Sequence, residues 1–292
     1  MQSELLPTTI RSVTACIDWI SATRLIDRDG KADLNNVVYN RFADDEWTET
    51  RATNGYTLAW RNDIGIVQMV NPYRKDMGTH VMYTGKVLRK IEEITKVKAL
   101  DILDYHIRNS DNLTRVDIAI DCYNTGMNID ALAMDWKARN VKTRARTGFR
   151  IEDLDGKGTT LYIGSRTKRK KLLRIYDKAA EQKIDGDWIR IELQVMGEPI
   201  LDMVKLMESG KDDFANIVRS IIKGYCDFNQ NSVWNEVFTS DSISISSQKV
   251  TKGDTREWIF NQCVPAIVRE CRIDATFWEQ LQLAFIAEMN EG

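Results

Sequence analysis

Three segments of the chain share one alternation, and that shared pattern limits the folds open to it. Thr114–Asp121 sets Val116, Ile118 and Ile120 on one side and Arg115, Asp117 and Asp121 on the other. Leu172–Lys178 sets Leu173 and Ile175 opposite Arg174, Tyr176 and Lys178. Trp188–Val195 sets Ile189, Ile191, Leu193 and Val195 opposite Arg190, Glu192 and Gln194. A period of two marks a strand with one face buried. If the three strands lie in one sheet, its aliphatic side needs a covering layer. Its open side collects guanidinium groups, carboxylates and a single phenol. The expected fold is therefore α+β, with antiparallel sheet layers backed by helices.

The phenol gives that open face a specific chemistry. Arg174 and Lys178 flank Tyr176 on its own side of the strand. Two cations there would bind an anion beside the hydroxyl and favour the phenolate. That is what a tyrosine needs to attack a phosphodiester. Taken alone, such a segment is more often an ordinary amphipathic strand with a solvated face; matching polar faces on all three favour a site for a metal and a phosphate.

At 292 residues the chain has room for one large domain or two moderate ones. The formal net charge of −2 argues against a wholly basic DNA coat, but it averages over a strong asymmetry. Between Lys137 and Arg190 there are 16 basic against 7 acidic residues, whereas after Gly197 acids lead by 15 to 9. A confined basic zone suits a phosphate-binding surface. Its densest part is the connection from Ser165 to Lys170, where Arg166, Lys168, Arg169 and Lys170, with Lys171 just after it, are candidates for DNA-backbone contact. The five cysteines include no C-x-x-C pair, Met1–Arg11 lacks an apolar run, and no stretch approaches the ~20 apolar residues of a membrane span. These features lead us to expect a cytoplasmic protein without membrane contact.

In chain order, residues 12–23 read as an opening strand with Asp18 among apolar neighbours, a charge that wants a partner. A hairpin over 54–70, a strand at Thr79–Thr84, and helices from about Lys86 to Thr95 and Leu100 to Asn109 follow. Asn128 is placed to cap a helix in which Ile129, Leu132, Ala133 and Trp136 recur at helical spacing. Thr14–Arg24 and Thr114–Asn124 each carry a mid-strand Asp, which raises an internal duplication. Thr159–Gly164 and Lys171–Lys178 form a hairpin carrying Tyr176. Beyond Glu198-Pro199 four amphipathic helices are expected. The division expected is a catalytic domain over 1–200 and a mostly helical region over 201–292 that caps the sheet or recognises DNA.

The blocks TRVDIAID, TLYIGSRTKRKKLLRIYDKAAE and WIRIELQ, in that order and at these intervals, resemble the replication initiation factor (Rep_trans) family. CIDWISAT and GTHVMYTGKVLRKIEE are similar to the family's pattern too, so the resemblance covers roughly residues 12 to 200. It implies an initiator of rolling-circle replication on a plasmid or phage, or a relaxase of a conjugative element. The implied reaction is a sequence-specific, metal-dependent nick at an origin of replication or transfer, in a single-stranded or hairpin region. Tyr176, in the matching R-x-Y-x-K block, would end joined to the 5′ phosphate and leave a 3′ hydroxyl. A host helicase and a second copy of the chain are further partners the resemblance suggests.

With only His80 and His106 available, hard oxygen ligands should dominate, and Mg²⁺ or Mn²⁺ fits them. Asp117 and Glu192 are the first choices, followed by Asp121 and Asp18; Asp121 can instead pair with an arginine. Arg115, Arg174 and Arg190 would hold carboxylates or phosphate, with Lys178 next to the phenolate. A competing reading is a non-catalytic, sequence-specific DNA-binding protein of a mobile element. A metal-dependent hydrolase, releasing its product by water, is the third.

Overall fold

The computed structural model describes residues 11–25, 38–39, 42, 45–109, 111–152, 158–165, 170–243, 245, 264–274 and 276–290. The chain opens with β1 (Ser12–Arg24), β2 (Trp47–Thr50), β3 (Leu58–Asn62), β4 (Val67–Val70) and β5 (Thr79–Thr84), then α1 (Gly85–Thr95) and α2 (Ala99–Arg108). A second run follows: β6 (Asn112–Tyr123), α3 (Ile129–Lys137), β7 (Lys142–Thr143), β8 (Gly148–Glu152), β9 (Thr159–Ile163), β10 (Lys171–Asp177), α4 (Lys178–Gln182) and β11 (Trp188–Met196). After it come α5 (Pro199–Ser209), α6 (Phe214–Tyr225), β12 (Cys226–Asp227), α7 (Ser232–Val237), α8 (Val264–Ile273) and α9 (Phe277–Asn290).

Ten strands form one antiparallel sheet in the order β2-β3-β4-β5-β1-β6-β11-β10-β9-β8, while β12 and β7 pair separately. Outward from the central β1–β6 seam, one half reads β1, β5, β4, β3, β2 and the other β6, β11, β10, β9, β8. In each half the first strand lies at the seam, the next sheet strand in the chain lies outermost, and the later ones step inward. In each half, too, the last strand feeds a pair of helices, α1 and α2 or α5 and α6. The duplication raised by the two Asp-bearing strands therefore extends to the whole sheet as a repeat of topology.

The three alternating segments lie together as expected. β6 pairs with β11, and β11 with β10, with Ile120, Ile191 and Ile175 in one row and Ile118, Leu193 and Leu173 in the next. All six are fully buried. At about 1.5–3 kcal/mol for each aliphatic side chain removed from water, this stripe is a large share of what holds the sheet to its covering helices. Those helices are α5 against β11 and β6, α6 against β1 and β6, α2 against β6 and β1, and α3 against β9. The Asn128 cap forms as expected, its side-chain oxygen accepting from the Ala131 N–H at 3.0 Å.

β1 carries the one irregularity that matters to the site. Its pairing runs Cys16↔Ala119 and Ile17↔Ile118, then skips to Trp19↔Asp117, so Asp18 is an extra, bulged residue. The bulge keeps Ile17 and Ile20 in the core and turns the Asp18 carboxylate toward the polar face.

By contact, the chain divides into Met1–Ser247 and Gln248–Gly292. The described elements of the second unit are α8 and α9, whose Ile267, Cys271, Trp278, Leu281 and Phe285 line an apolar groove. No helix among the described residues is long and apolar enough to cross a membrane.

Candidate active site

Strand register sets the polar side chains in rows on the face away from the helices. One row runs Asp121, Arg190, Tyr176; its neighbour runs Ala119, Glu192, Arg174, Tyr162. The phenol therefore stands diagonal to Glu192, and its hydroxyl donates to Glu192 Oε2 at 3.2 Å. Arg174 bonds the other Glu192 oxygen and also donates to Asp117 Oδ2 at 3.1 Å. Asp117 is held from its far side by Arg115, whose Nε donates to Oδ1 at 2.8 Å and whose Nη2 bonds Oδ2. The Arg115 guanidinium lies 4.4 Å above the Trp19 ring. Tyr176, Glu192, Arg174, Asp117 and Arg115 thus make one continuous chain of contacts.

A second cluster adjoins it at the seam. Arg190 clamps Asp121 with two bonds of 2.7 Å, from Nε and Nη2, and its Nη1 donates to Asp18 Oδ1 at 2.7 Å. Trp188 Nε1 adds a bond to Asp121 Oδ1 at 2.6 Å. Asp121 is occupied by an arginine and an indole and is not drawn to Asp117 and Glu192. Asp18 joins the two halves and also meets Arg89 at 3.4 Å. Gly85, which starts α1, is needed here for lack of a side chain, because a Cβ would overlap the Asp18 carboxylate. His80 is a strand residue, its Nδ1 2.8 Å from Thr23 Oγ1.

Three expectations need correction. The polar face is not open: the Asp117 and Glu192 side chains retain 1% and 4% of their exposure, beneath Arg115 and Arg174, which retain 23% and 27%. Charges buried in rows must be paired, and the arginines that pair them lie over them like a lid. Second, β10 ends at Asp177, whose carboxylate caps α4 by accepting from Ala180 N–H at 2.9 Å. Lys178 therefore opens a helix, pairs with Glu181 and lies 5.6 Å from the centre of the Tyr176 ring. Third, the phenolate is disfavoured. Burial, reinforced by the Glu192 carboxylate, raises the Tyr176 phenol well above its ordinary range, against the opposing charge of Arg190. Burial likewise pushes the Glu192 carboxyl up to about 7, with Arg174 pulling it down and Asp117 pushing it up.

Arg166, Lys168 and Arg169 lie outside the described residues. Lys170 pairs with Glu198, and Lys171 bonds the Ile245 carbonyl at the end of β10 away from Tyr176. Beside them Arg144 and Arg146, from the β7–β8 connection, line the same cleft. Sequence reading did not single these two out; the only signal was their place in the basic zone. Trp19 was also passed over, and its register partner is Asp117.

The sequence profile described as replication initiation factor matches residues 111–276, more than half of the chain. The chain belongs to the replication initiation factor family. The matched stretch holds both rows of the site; Asp18, Trp19, Gly85 and Arg89 lie outside it. The fold of this family member is similar to a solved structure of a rolling circle replication initiator protein from Geobacillus stearothermophilus, at a TM-score of 0.61 and 21% identity. The match covers 82% of this chain and 100% of that one. No curated protein matches the chain.

Whether the residues suit a divalent metal can be judged from the donor set. Asp117 and Glu192 converge on one point, where the Arg174 guanidinium is the cation they now share. Two hard carboxylates on a common point suit Mg²⁺ or Mn²⁺, which are held through one or two carboxylates plus substrate phosphate. Among the described residues no group of three or more His, Cys, Asp or Glu side chains gathers to hold an ion by protein ligands alone.

Proposed function

We propose that this protein makes a sequence-specific single-strand nick in DNA through a covalent 5′-phosphotyrosine on Tyr176, as a rolling-circle initiator or a conjugative relaxase. The observation that carries the reading is the hydrogen bond from the Tyr176 hydroxyl to Glu192. A phenol held protonated needs a base within reach, and a carboxylate raised toward neutrality is that base. Tyr176 Oη forms the bond to phosphorus as its proton passes to Glu192. The bond from phosphorus to the 3′ oxygen breaks, and that oxygen leaves as a hydroxyl after taking a proton from solvent. Arg174, the outermost cation of the cluster, is placed to meet the non-bridging oxygens. Asp117 and the Glu192 oxygen that Arg174 now bonds would hold a bound Mg²⁺ or Mn²⁺, which would polarise the phosphate, while Glu192 Oε2 takes the phenol's proton. Arg115 keeps Asp117 in place, and Arg190 keeps Asp18 and Asp121 in place behind the phenol.

Lys170 and Lys171, with Arg166, Lys168 and Arg169, are proposed DNA-backbone contacts. The site of action is proposed as the cytoplasm, with a host helicase and a second copy of the chain as further partners. The test is to incubate the protein with Mn²⁺ and supercoiled DNA carrying its own coding region and flanks. Expected products are an open circle and a protein–DNA adduct whose attached peptide contains Tyr176. Specific binding with neither product would make this a DNA-binding protein without nicking activity.

A further inference from the structure

We infer a second anion site, a cleft at the far end of the Tyr176 hairpin that takes a backbone phosphate of duplex DNA flanking the nick. The inference rests on the proposed function and extends it to a surface remote from the phenol. The cleft, of about 390 Å³, is lined by Arg144 and Arg146 before β8, Lys170 and Lys171 at the start of β10, Pro199 at the start of α5, and Tyr225 at the end of α6. Four cations border one concavity. Lys170 is offset by Glu198, and Asp202 lies near enough to act on Lys171. Arg144 and Arg146 have no carboxylate partner among the described residues and are exposed. Lys171 is half-buried; its ammonium is disfavoured by that burial and by the charge of Arg144. Like charges held together around a hollow, two without counter-charge among the described residues, are relieved by an anion.

The walls have the donors for one. Arg144 and Arg146 each offer a planar fork that matches phosphate oxygens. The N-terminus of the eleven-residue helix α5 adds its dipole. Tyr225 fixes the floor, its hydroxyl 3.2 Å from the Ile163 carbonyl and 3.3 Å from that of Lys171, so both strand ends are pinned to α6. Gly164 gives the hydroxyl room, since a Cβ there would meet it at 2.6 Å. Lys171 and Tyr176 are five residues apart on one strand, about 17 Å along it at 3.3 Å per residue, and the odd spacing puts them on opposite faces, the cleft lying at the sheet's end beside α5 and α6. The separation suits a duplex flank better than a second reacting phosphate.

The experiment measures affinity for a 20-base-pair duplex of arbitrary sequence from about 50 to 200 mM salt. The proteins compared are the full-length wild type, Arg144→Ala/Arg146→Ala and Arg144→Lys/Arg146→Lys. Losing one or two phosphate contacts should flatten the slope of log K against log salt by about 0.9 to 1.8. The lysine pair, keeping both charges, should retain the wild-type slope. Adduct formation at Tyr176 on a short single-stranded substrate should be the same in all three. An alanine pair with the wild-type slope overturns the cleft, as does a wild type that does not bind the duplex. Absence of nicking in all three proteins while the slope still differs would sink the proposed chemistry and leave the cleft standing.

Discussion

Replacing Glu192 with Gln should stabilise the protein and disable it at the same time. The Glu192 carboxyl is raised from 4.5 to about 7, chiefly by burial. A raised folded-state value means that the favourable, protonated form contributes fully below pH 4.5 and that this contribution is lost as pH rises through 7. At 1.36 kcal/mol per pH unit the ionised side chain costs the fold about 3 kcal/mol above pH 8. Glutamine keeps the shape and cannot ionise, so Glu192→Gln should recover most of that sum. The opposing effect is the loss of a partner for Arg174. It is the smaller one, because Arg174 keeps Asp117 and over a quarter of its side-chain exposure. For a unit of this size about 3 kcal/mol corresponds to roughly 6–12 °C in Tm. Thermal unfolding at pH 5 and at pH 8 should therefore show the variant close to wild type at the lower pH and clearly above it at the higher. Nicking should fall by about 10²–10⁴, the usual worth of a general base, and the wild-type rise in rate through pH 7 should vanish. A variant less stable than wild type at pH 8, or a Tm difference independent of pH, refutes the reasoning.

Tyr176→Phe loses one hydrogen bond, worth about 0.5–1.5 kcal/mol, and should shift Tm by only a few degrees while abolishing the adduct; an adduct that persists would direct peptide mapping to Tyr162, across from Arg174. Arg190→Met strands Asp121 and Asp18 beside an apolar group and should cost about 3–5 kcal/mol in chemical denaturation. Gly85→Ala pushes the Asp18 carboxylate off its seat and should cost about 1–3 kcal/mol, with less loss when Asp18 is also Ala. Asp117→Ala should lower nicking and move its Mn²⁺ dependence to higher concentration; unchanged metal dependence in a titration would remove Asp117 as a ligand.

Period-two alternation made β6, β10 and β11 legible because one face is aliphatic throughout, and it put Tyr176 and Glu192 on a common side. Pairing order was harder to see. That Arg190 faces Asp121 rather than Asp117 depends on register, which no single strand encodes. The edge strands β2 and β8 were missed because only two of their nine residues, Trp47 and Phe149, are large, apolar and less than exposed; the rest is polar, glycine or open to solvent. The bulge at Asp18 was unreadable for a related reason: an extra residue changes the facing of a side chain without changing composition. The direction of the phenol's titration was misjudged because flanking cations were counted and burial was not. Counting charges along a strand says nothing about what lies above them.

The bulged carboxylate on β1 has a consequence for how the chain can be divided. Arg190 draws one counter-charge from each copy of the repeated topology, so the guanidinium acts as a keystone shared by both. A polypeptide cut in the loop before β6 would yield an amino-terminal piece whose Asp18 keeps only the longer contact to Arg89, and a carboxy-terminal piece with a base half-answered. Two such pieces should reassemble only as a pair.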